Sequence, residues 1–267
     1  MPETTVVSAD GTPLAARYSG SGPPIVLVHG AMGDLNTFAF LEAPLAEHHT
    51  VWVYSRRNRG GSGDGPRYGV EREAEDVLAV VEAAGGAAHL FGHSSGAIYA
   101  MLAAPHAAGL RSLLFYEPPL HLDAVEPDLL QGMDSALADG DPARAIERFL
   151  PVADIAPEEL DAVRSDAPVW AALEAGVQVF PRELRALQHE GTALLSKLRL
   201  PDIPLLYLYG ELTSAPVYPS VAEVAARYPQ AEIRGLAGQR HLAPMFAPAA
   251  FAAAITEFTG RVDVRSN

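Results

Sequence analysis

Between residues 24 and 116 the chain alternates short apolar runs with helix-patterned stretches, and this alternation limits the fold more than any other feature. Pro24–Val28 reads Pro-Ile-Val-Leu-Val, and Thr50–Tyr54 reads Thr-Val-Trp-Val-Tyr. Further strands are read at Ala88–Gly92 and Leu110–Tyr116. Short, continuously apolar, β-branched runs suit strands buried on both faces, as in a parallel sheet. Between them, Val70–Ala84 places Val70, Ala74, Val77, Leu78 and Val81 on one face at helical spacing, and Gly85-Gly86 supplies a stop. Helical stretches near Phe38–His48 and at Ser95–His106 complete the pattern. It predicts an α/β fold, a mostly parallel central sheet with helices on both faces. A hairpin around Asp10-Gly11, within residues 4–18, precedes it.

The alternation breaks at residue 118. From there to about 200 the chain reads as helical. Asp141-Pro142 is a helix start, with a capping carboxylate and a proline at the first helical position. Pro157, Pro168 and Pro181 punctuate three further short helices. The β/α pattern resumes with a strand at Pro204–Tyr209, a helix near Pro219–Tyr228, a strand at Ala231–Leu236 and a helix at Ala247–Thr259. The expected organisation is a core formed by residues 1–117 and 201–267, with residues 118–200 inserted as a helical cap. A chain of 267 residues accommodates one such domain.

Composition narrows the chemistry. With no cysteine, disulfides, thiolate metal sites and a cysteine nucleophile are excluded. Nineteen Lys+Arg against 33 Asp+Glu give a net charge of −14, which argues against nucleic acid and anionic lipid as partners. Met1-Pro2-Glu3-Thr4-Thr5 has neither the basic nor the apolar part of a signal peptide. No apolar run approaches the roughly 18–20 residues that span a bilayer. The expectation is a cytoplasmic protein acting on a small molecule, with no cofactor or metal. A homodimer is compatible with the sequence.

Gly92-His93-Ser94-Ser95-Gly96 matches G-x-S-x-G at the junction between a strand and a helix. A tight turn there lifts a serine out of the sheet, and glycines at its flanks permit close approach. The helix behind it points backbone N–H groups at the site. Ser94 is therefore the candidate nucleophile. Acyl transfer also needs two donors for the developing oxyanion. Ser95 N–H is one. The loop His29-Gly30-Ala31-Met32-Gly33 supplies the other, at Ala31 or Met32, with His29 bracing the loop. A serine needs a base. Of nine histidines, His241 lies in a loop between the last strand and last helix, at the carboxyl edge of the sheet, where a Ser–acid–His order requires it.

These residues resemble the α/β-hydrolase superfamily: His29-Gly30, Arg59-Gly60-x-Ser62, Gly92-x-Ser94-x-Gly96 and the terminal Gly-x-x-His ending at His241, in that order. The closest likeness is to small bacterial serine hydrolases with a helical cap after the sixth strand. The sequence departs from that pattern at Ser55 (usually Asp), Asn58 (usually Gly) and Arg240 (usually Gly). The acid also departs. The family normally carries it after the seventh strand as Gly-x-x-Asp, and Thr213 stands there. Some members, haloalkane dehalogenases among them, place it after the sixth strand, where this chain has Glu117 before two prolines. Glu117 is the favoured acid, with Glu211, Asp123 or a Ser–His dyad as alternatives. A serine at the elbow argues against dehalogenase and epoxide-hydrolase chemistry, whose nucleophile is aspartate.

The resemblance implies a serine hydrolase cleaving a carboxylic ester of a small or medium hydrophobic substrate. Met32, Trp170 and Phe180 are candidate substrate-binding residues, with Val177 and Leu187 as further wall candidates. Amide, thioester, lactone or C–C cleavage on the same scaffold is the alternative. A non-catalytic ligand-binding protein is the alternative of another class.

Overall fold

The computed structural model describes residues 3–266. Its eight strands are β1 (Glu3–Val7), β2 (Pro13–Gly20), β3 (Pro24–Val28), β4 (Thr50–Tyr54), β5 (His89–His93), β6 (Ser112–Tyr116), β7 (Leu205–Gly210) and β8 (Ala231–Leu236). They form one sheet in the order β1-β2-β4-β3-β5-β6-β7-β8. β2 runs antiparallel to both its neighbours, and every pairing from β4 to β8 is parallel. The α/β architecture expected from the alternation is the one observed.

Side-chain alternation along each strand divides the core between two faces. Val26, Val28, Leu90 and Phe115 pack under the helices Val70–Ala83 and Ser95–Ala103. Ile25, Leu27, Phe91 and Leu114 pack under Ala39–Ala46 and Pro248–Ser266. The last helix runs beyond the expected end at Thr259, because Val262 continues the buried stripe of Phe251, Ile255 and Phe258. The helix from Ser95 stops being α-helical at Ala103 and tightens into a 3₁₀ turn over Ala104–His106. Pro105, which has no N–H to donate, falls at that change.

Between β6 and β7 the chain is helical, with the longest helices at Pro127–Ala138, Pro142–Phe149, Pro157–Ser165 and Ala167–Val177. Asp141 caps the second of these by accepting the Arg144 N–H at 3.0 Å. This segment packs over the carboxyl edge of the sheet through a third apolar cluster that includes Met32, Val177, Phe180, Leu184 and Tyr218. Gly176 lies so close to the Met32 carbonyl that a β-carbon would collide with it.

Register sets the site. Val28 pairs with Gly92, and His93 with Tyr116, so β3, β5 and β6 end at nearly the same level. The residues that follow these strands therefore emerge side by side.

Candidate active site

Ser94 occupies the left-handed region, with φ 54° and ψ −128°. A non-glycine residue rarely adopts such a backbone, and the surroundings must hold it. Its N–H donates to the Tyr116 carbonyl at 2.9 Å, which ties the elbow to β6. At Gly96 a β-carbon would collide with the Val28 and His29 carbonyls, so only glycine lets the helix start this close to β3.

The loop after β3 abuts Ser94. An idealised β-carbon on Gly30 would stand 3.5 Å from Ser94 Oγ. His29 braces this loop: Nδ1 donates to the Gly30 carbonyl at 2.9 Å, and Nε2 accepts the Arg56 N–H at 3.1 Å. That pattern requires the neutral ring. Burial, with the Arg56 and Arg59 guanidiniums, pushes its pKa well below the ordinary histidine value. Met32, at φ 57°, turns the loop back under the helical segment.

Glu117 follows β6 directly, also in a left-handed conformation at φ 45°. One carboxylate oxygen, Oε1, accepts the Gly210 N–H at 2.7 Å, and Oε2 accepts Nδ1–H of His241 at 2.7 Å. Both side chains are buried. The other carboxylates weighed for this role, Glu211 and Asp123, are exposed. Thr213, at the family's usual acid position, has a buried hydroxyl with no hydrogen-bond partner.

The histidine loop is pinned at two successive carbonyls. Tyr116 OH donates to Arg240 O at 2.6 Å, and His93 Nε2 donates to His241 O at 3.1 Å. Burial, and secondarily His241, keep His93 well below its ordinary pKa and therefore neutral. Arg240 does not enter the site. Its guanidinium reaches Asp154 at 3.2 Å and the Leu212 carbonyl at 2.8 Å, joining the histidine loop to the helical segment. Asn58, another departure from the family pattern, has φ 59°, a conformation asparagine tolerates better than most residues.

Tyr218 is a site residue that sequence reasoning missed. Its ring stacks on His241 with centroids 4.7 Å apart. Its hydroxyl donates to the Ala153 carbonyl at 3.4 Å, and the residue lines the same small chamber as Ser94. It lies in a loop with no periodic pattern, so nothing local marked it.

A buried ionic cluster lies beneath the site. Arg56 donates to Glu73 through Nε and Nη2, both at 3.0 Å, and to Glu183 at 2.6 Å. Its Nη1 reaches the Gly30 carbonyl at 3.1 Å and Ser95 Oγ at 3.3 Å. Glu183 also accepts Ser95 Oγ–H at 2.9 Å and Tyr99 OH at 3.0 Å, and it pairs with Arg59. The Arg56 and Glu183 side chains are 0% exposed. Burial alone would raise the Glu183 pKa, but the Arg56 and Arg59 charges overcome it and hold the value at about 2.

The expected wall residues divide. Met32, Ser94 and His241 line one large cavity of about 760 Å³. Phe180 and Leu187 line a separate small chamber. Trp170 lines neither, which corrects its assignment. Its indole N–H donates to Glu174 at 3.0 Å, and the Arg164 guanidinium lies 5.3 Å from its ring. Its neighbours Pro168, Val169 and Leu173 line the large cavity instead. Val177 is buried in the packing cluster.

A serine on a strained strand-to-helix turn, a glutamate after β6 and a histidine after β8 define an α/β protein built around a nucleophile elbow. The sequence model described as the alpha/beta hydrolase family matches residues 25–254, and the chain belongs to that family. An alpha/beta hydrolase from Sphaerobacter thermophilus is similar along nearly the whole chain: 37% identity, 96% of this chain and 100% of that one, TM-score 0.77. A thermophilic esterase from Thermogutta terrifontis shares the fold at 22% identity, with 98% and 99% covered and a TM-score of 0.75. Among curated relatives, N-formylmaleamate deformylase of Pseudomonas putida is 37% identical over 108 residues. That match spans 39% of this chain and only 40% of the deformylase.

Proposed function

We propose that the protein is a serine hydrolase that cleaves carboxylic esters of small or medium, hydrophobic, uncharged substrates through an acyl-enzyme. The observation that carries this reading is the 2.7 Å contact between Glu117 and His241, beside a serine held in a strained elbow. Ser94 Oγ attacks the ester carbonyl as its proton passes to His241 Nε2. Glu117 fixes the tautomer, with Nδ1 protonated, and stabilises the imidazolium. The N–H groups of Ala31 and Ser95 hold the oxyanion. The C–O bond then breaks, and His241 returns the proton to the departing oxygen. Water, activated by His241, releases the carboxylic acid and restores Ser94.

Residues 118–200 act as the cap in this reading and supply much of the cavity wall. That wall supports an uncharged substrate. It is mostly apolar and contains no lysine or arginine. Its carboxylates are Asp34 and Asp166, and each is occupied by local backbone N–H groups. A substrate carboxylate would find no counter-ion there.

Amide deformylation is the second reading, favoured by the partial likeness to N-formylmaleamate deformylase. Fluorophosphonate labelling tests the shared mechanism. The expected result is one adduct at Ser94, lost in Ser94→Ala. No labelling of a folded protein would sink the serine-hydrolase reading and leave a non-catalytic binding protein. Comparing neutral aryl esters with hemisuccinate esters of the same alcohol tests the charge preference, and equal kcat/KM for both would refute it.

A further inference from the structure

Ser94 stands between two cavities of very different size. On one side is the space of about 760 Å³, whose wall includes His241, Met32, Phe40 and Met245. On the other is a chamber of about 30 Å³, lined by Ser95, Leu122, Val125, Phe180, Leu184 and Leu187, with Tyr218 at its edge. Ala31, Ser94, Phe149 and Ala153 belong to both walls. His241 belongs only to the larger one.

This asymmetry orients an ester. The residue that returns a proton to the departing oxygen must face that oxygen, so the leaving group lies on the His241 side. The carbonyl oxygen points to the donors on Ala31 and Ser95. The remaining substituent of the carbonyl carbon, the acyl chain, is directed into the small chamber. With about 30 Å³ against about 760 Å³ on the other side, the chamber takes a short acyl chain and excludes a long one. Its floor is made of buried leucine and phenylalanine side chains packed in the cluster beneath the helical segment, and it does not widen without displacing them.

We infer that the enzyme is specific for short acyl groups carried on a bulky apolar alcohol. The inference rests on the serine-hydrolase reading and deepens it. The large cavity is the alcohol site, and the small chamber is the acyl site. Turnover transfers the short acyl group to Ser94 Oγ, releases the protonated alcohol, and ends with water taking the acyl group as the carboxylic acid.

The test is a series of 2-naphthyl esters with acetyl, propionyl, butyryl, hexanoyl and octanoyl chains, with Ser94 labelling run in parallel. The expected profile falls from acetyl onward, with kcat/KM for acetate at least tenfold above butyrate. Leu184→Ala opens the chamber and should raise the butyrate-to-acetate ratio at least fivefold. Leu187→Val, a smaller truncation, gives the same direction if the first variant does not fold. A profile that peaks at butyryl or longer, while Ser94 is still labelled, overturns the acyl-site assignment and leaves the hydrolase reading intact. Failure to label Ser94 overturns both.

Discussion

Glu117 and His241 lie 124 residues apart and meet at 2.7 Å, while the other carboxylate oxygen of Glu117 is held by the Gly210 N–H. Glu117 thus stands after β6 and is steadied by the end of β7, the strand after which the family pattern places its acid. Its position is set from two sides. Glu117→Gln is expected to lower kcat by about 10²–10⁴ with little change in KM, because the amide cannot favour the imidazolium. Glu211→Gln and Asp123→Asn, at exposed positions, should leave kcat within about twofold. Steady-state kinetics on a neutral aryl acetate checks all three, and an unchanged kcat in Glu117→Gln would remove it from the mechanism.

Tyr218 stacks its ring on His241 and shares the small chamber with Ser94, the two ends of the proposed proton path. Tyr218→Phe keeps the stacking and removes the hydroxyl. The expected loss is about tenfold in kcat/KM, or about 1.4 kcal/mol of transition-state stabilisation. Kinetics alongside thermal melting separates this from instability. A normal kcat/KM would show that the hydroxyl serves only the Ala153 carbonyl.

Glu183 links the helical segment to both expected oxyanion donors. It binds the Ser95 hydroxyl directly and reaches the Gly30 carbonyl through Arg56. Glu183→Gln leaves Arg56 and Arg59 sharing one carboxylate fewer in a buried interior. Removing one partner of such a group costs about 3–5 kcal/mol. A marked drop in Tm is expected, with a lower kcat at unchanged KM. Ser95→Ala isolates the positional part, because it keeps the backbone N–H and loses only the hydroxyl. Its kcat should fall about three- to tenfold with Tm nearly unchanged. If both variants bind a boronic-acid transition-state analogue as tightly as the parent, the cluster is structural only.

Much of this site could be read in the sequence, for a physical reason. Buried parallel strands are continuously apolar, so Pro24–Val28 and Thr50–Tyr54 mark their own limits. Ser94, Glu117 and His241 follow strand ends, and strand ends in a parallel sheet share one edge. Knowing the strands therefore places the residues that come after them. The Arg56–Glu183 contact spans 127 positions and follows no periodicity. Glu183 sits on a short helix whose local pattern does not distinguish a buried carboxylate from a solvated one. Trp170 fails for the related reason that a large apolar residue in a helical segment has several faces to pack against. Only the tertiary arrangement decides which of them meets the cavity.

Four buried histidines make the fold sensitive to acid. His29 and His93 are held well below the ordinary value, chiefly by burial. His49 is lowered for the same first reason. His89 is lowered to about 4, because burial outweighs the neighbouring Asp263 carboxylate. Each ring resists protonation in the native state, while in the unfolded chain it takes up a proton near pH 6.5. The unfolded state therefore binds more protons below that value, and stability falls as the pH drops. It is fully present above pH 6.5 and, for His89, is lost progressively down to pH 4. Each histidine contributes a limiting slope of about 1.4 kcal/mol per pH unit, so His89 alone accounts for about 3 kcal/mol over its window. Urea unfolding at pH 7.5, 6.0 and 5.0 should show a midpoint that falls with acid. His89→Gln cannot titrate and should make that fall shallower by the equivalent of one proton. A midpoint independent of pH between 7.5 and 5.0 would mean that these rings are protonated in the native protein, or exposed to water more than their packing implies.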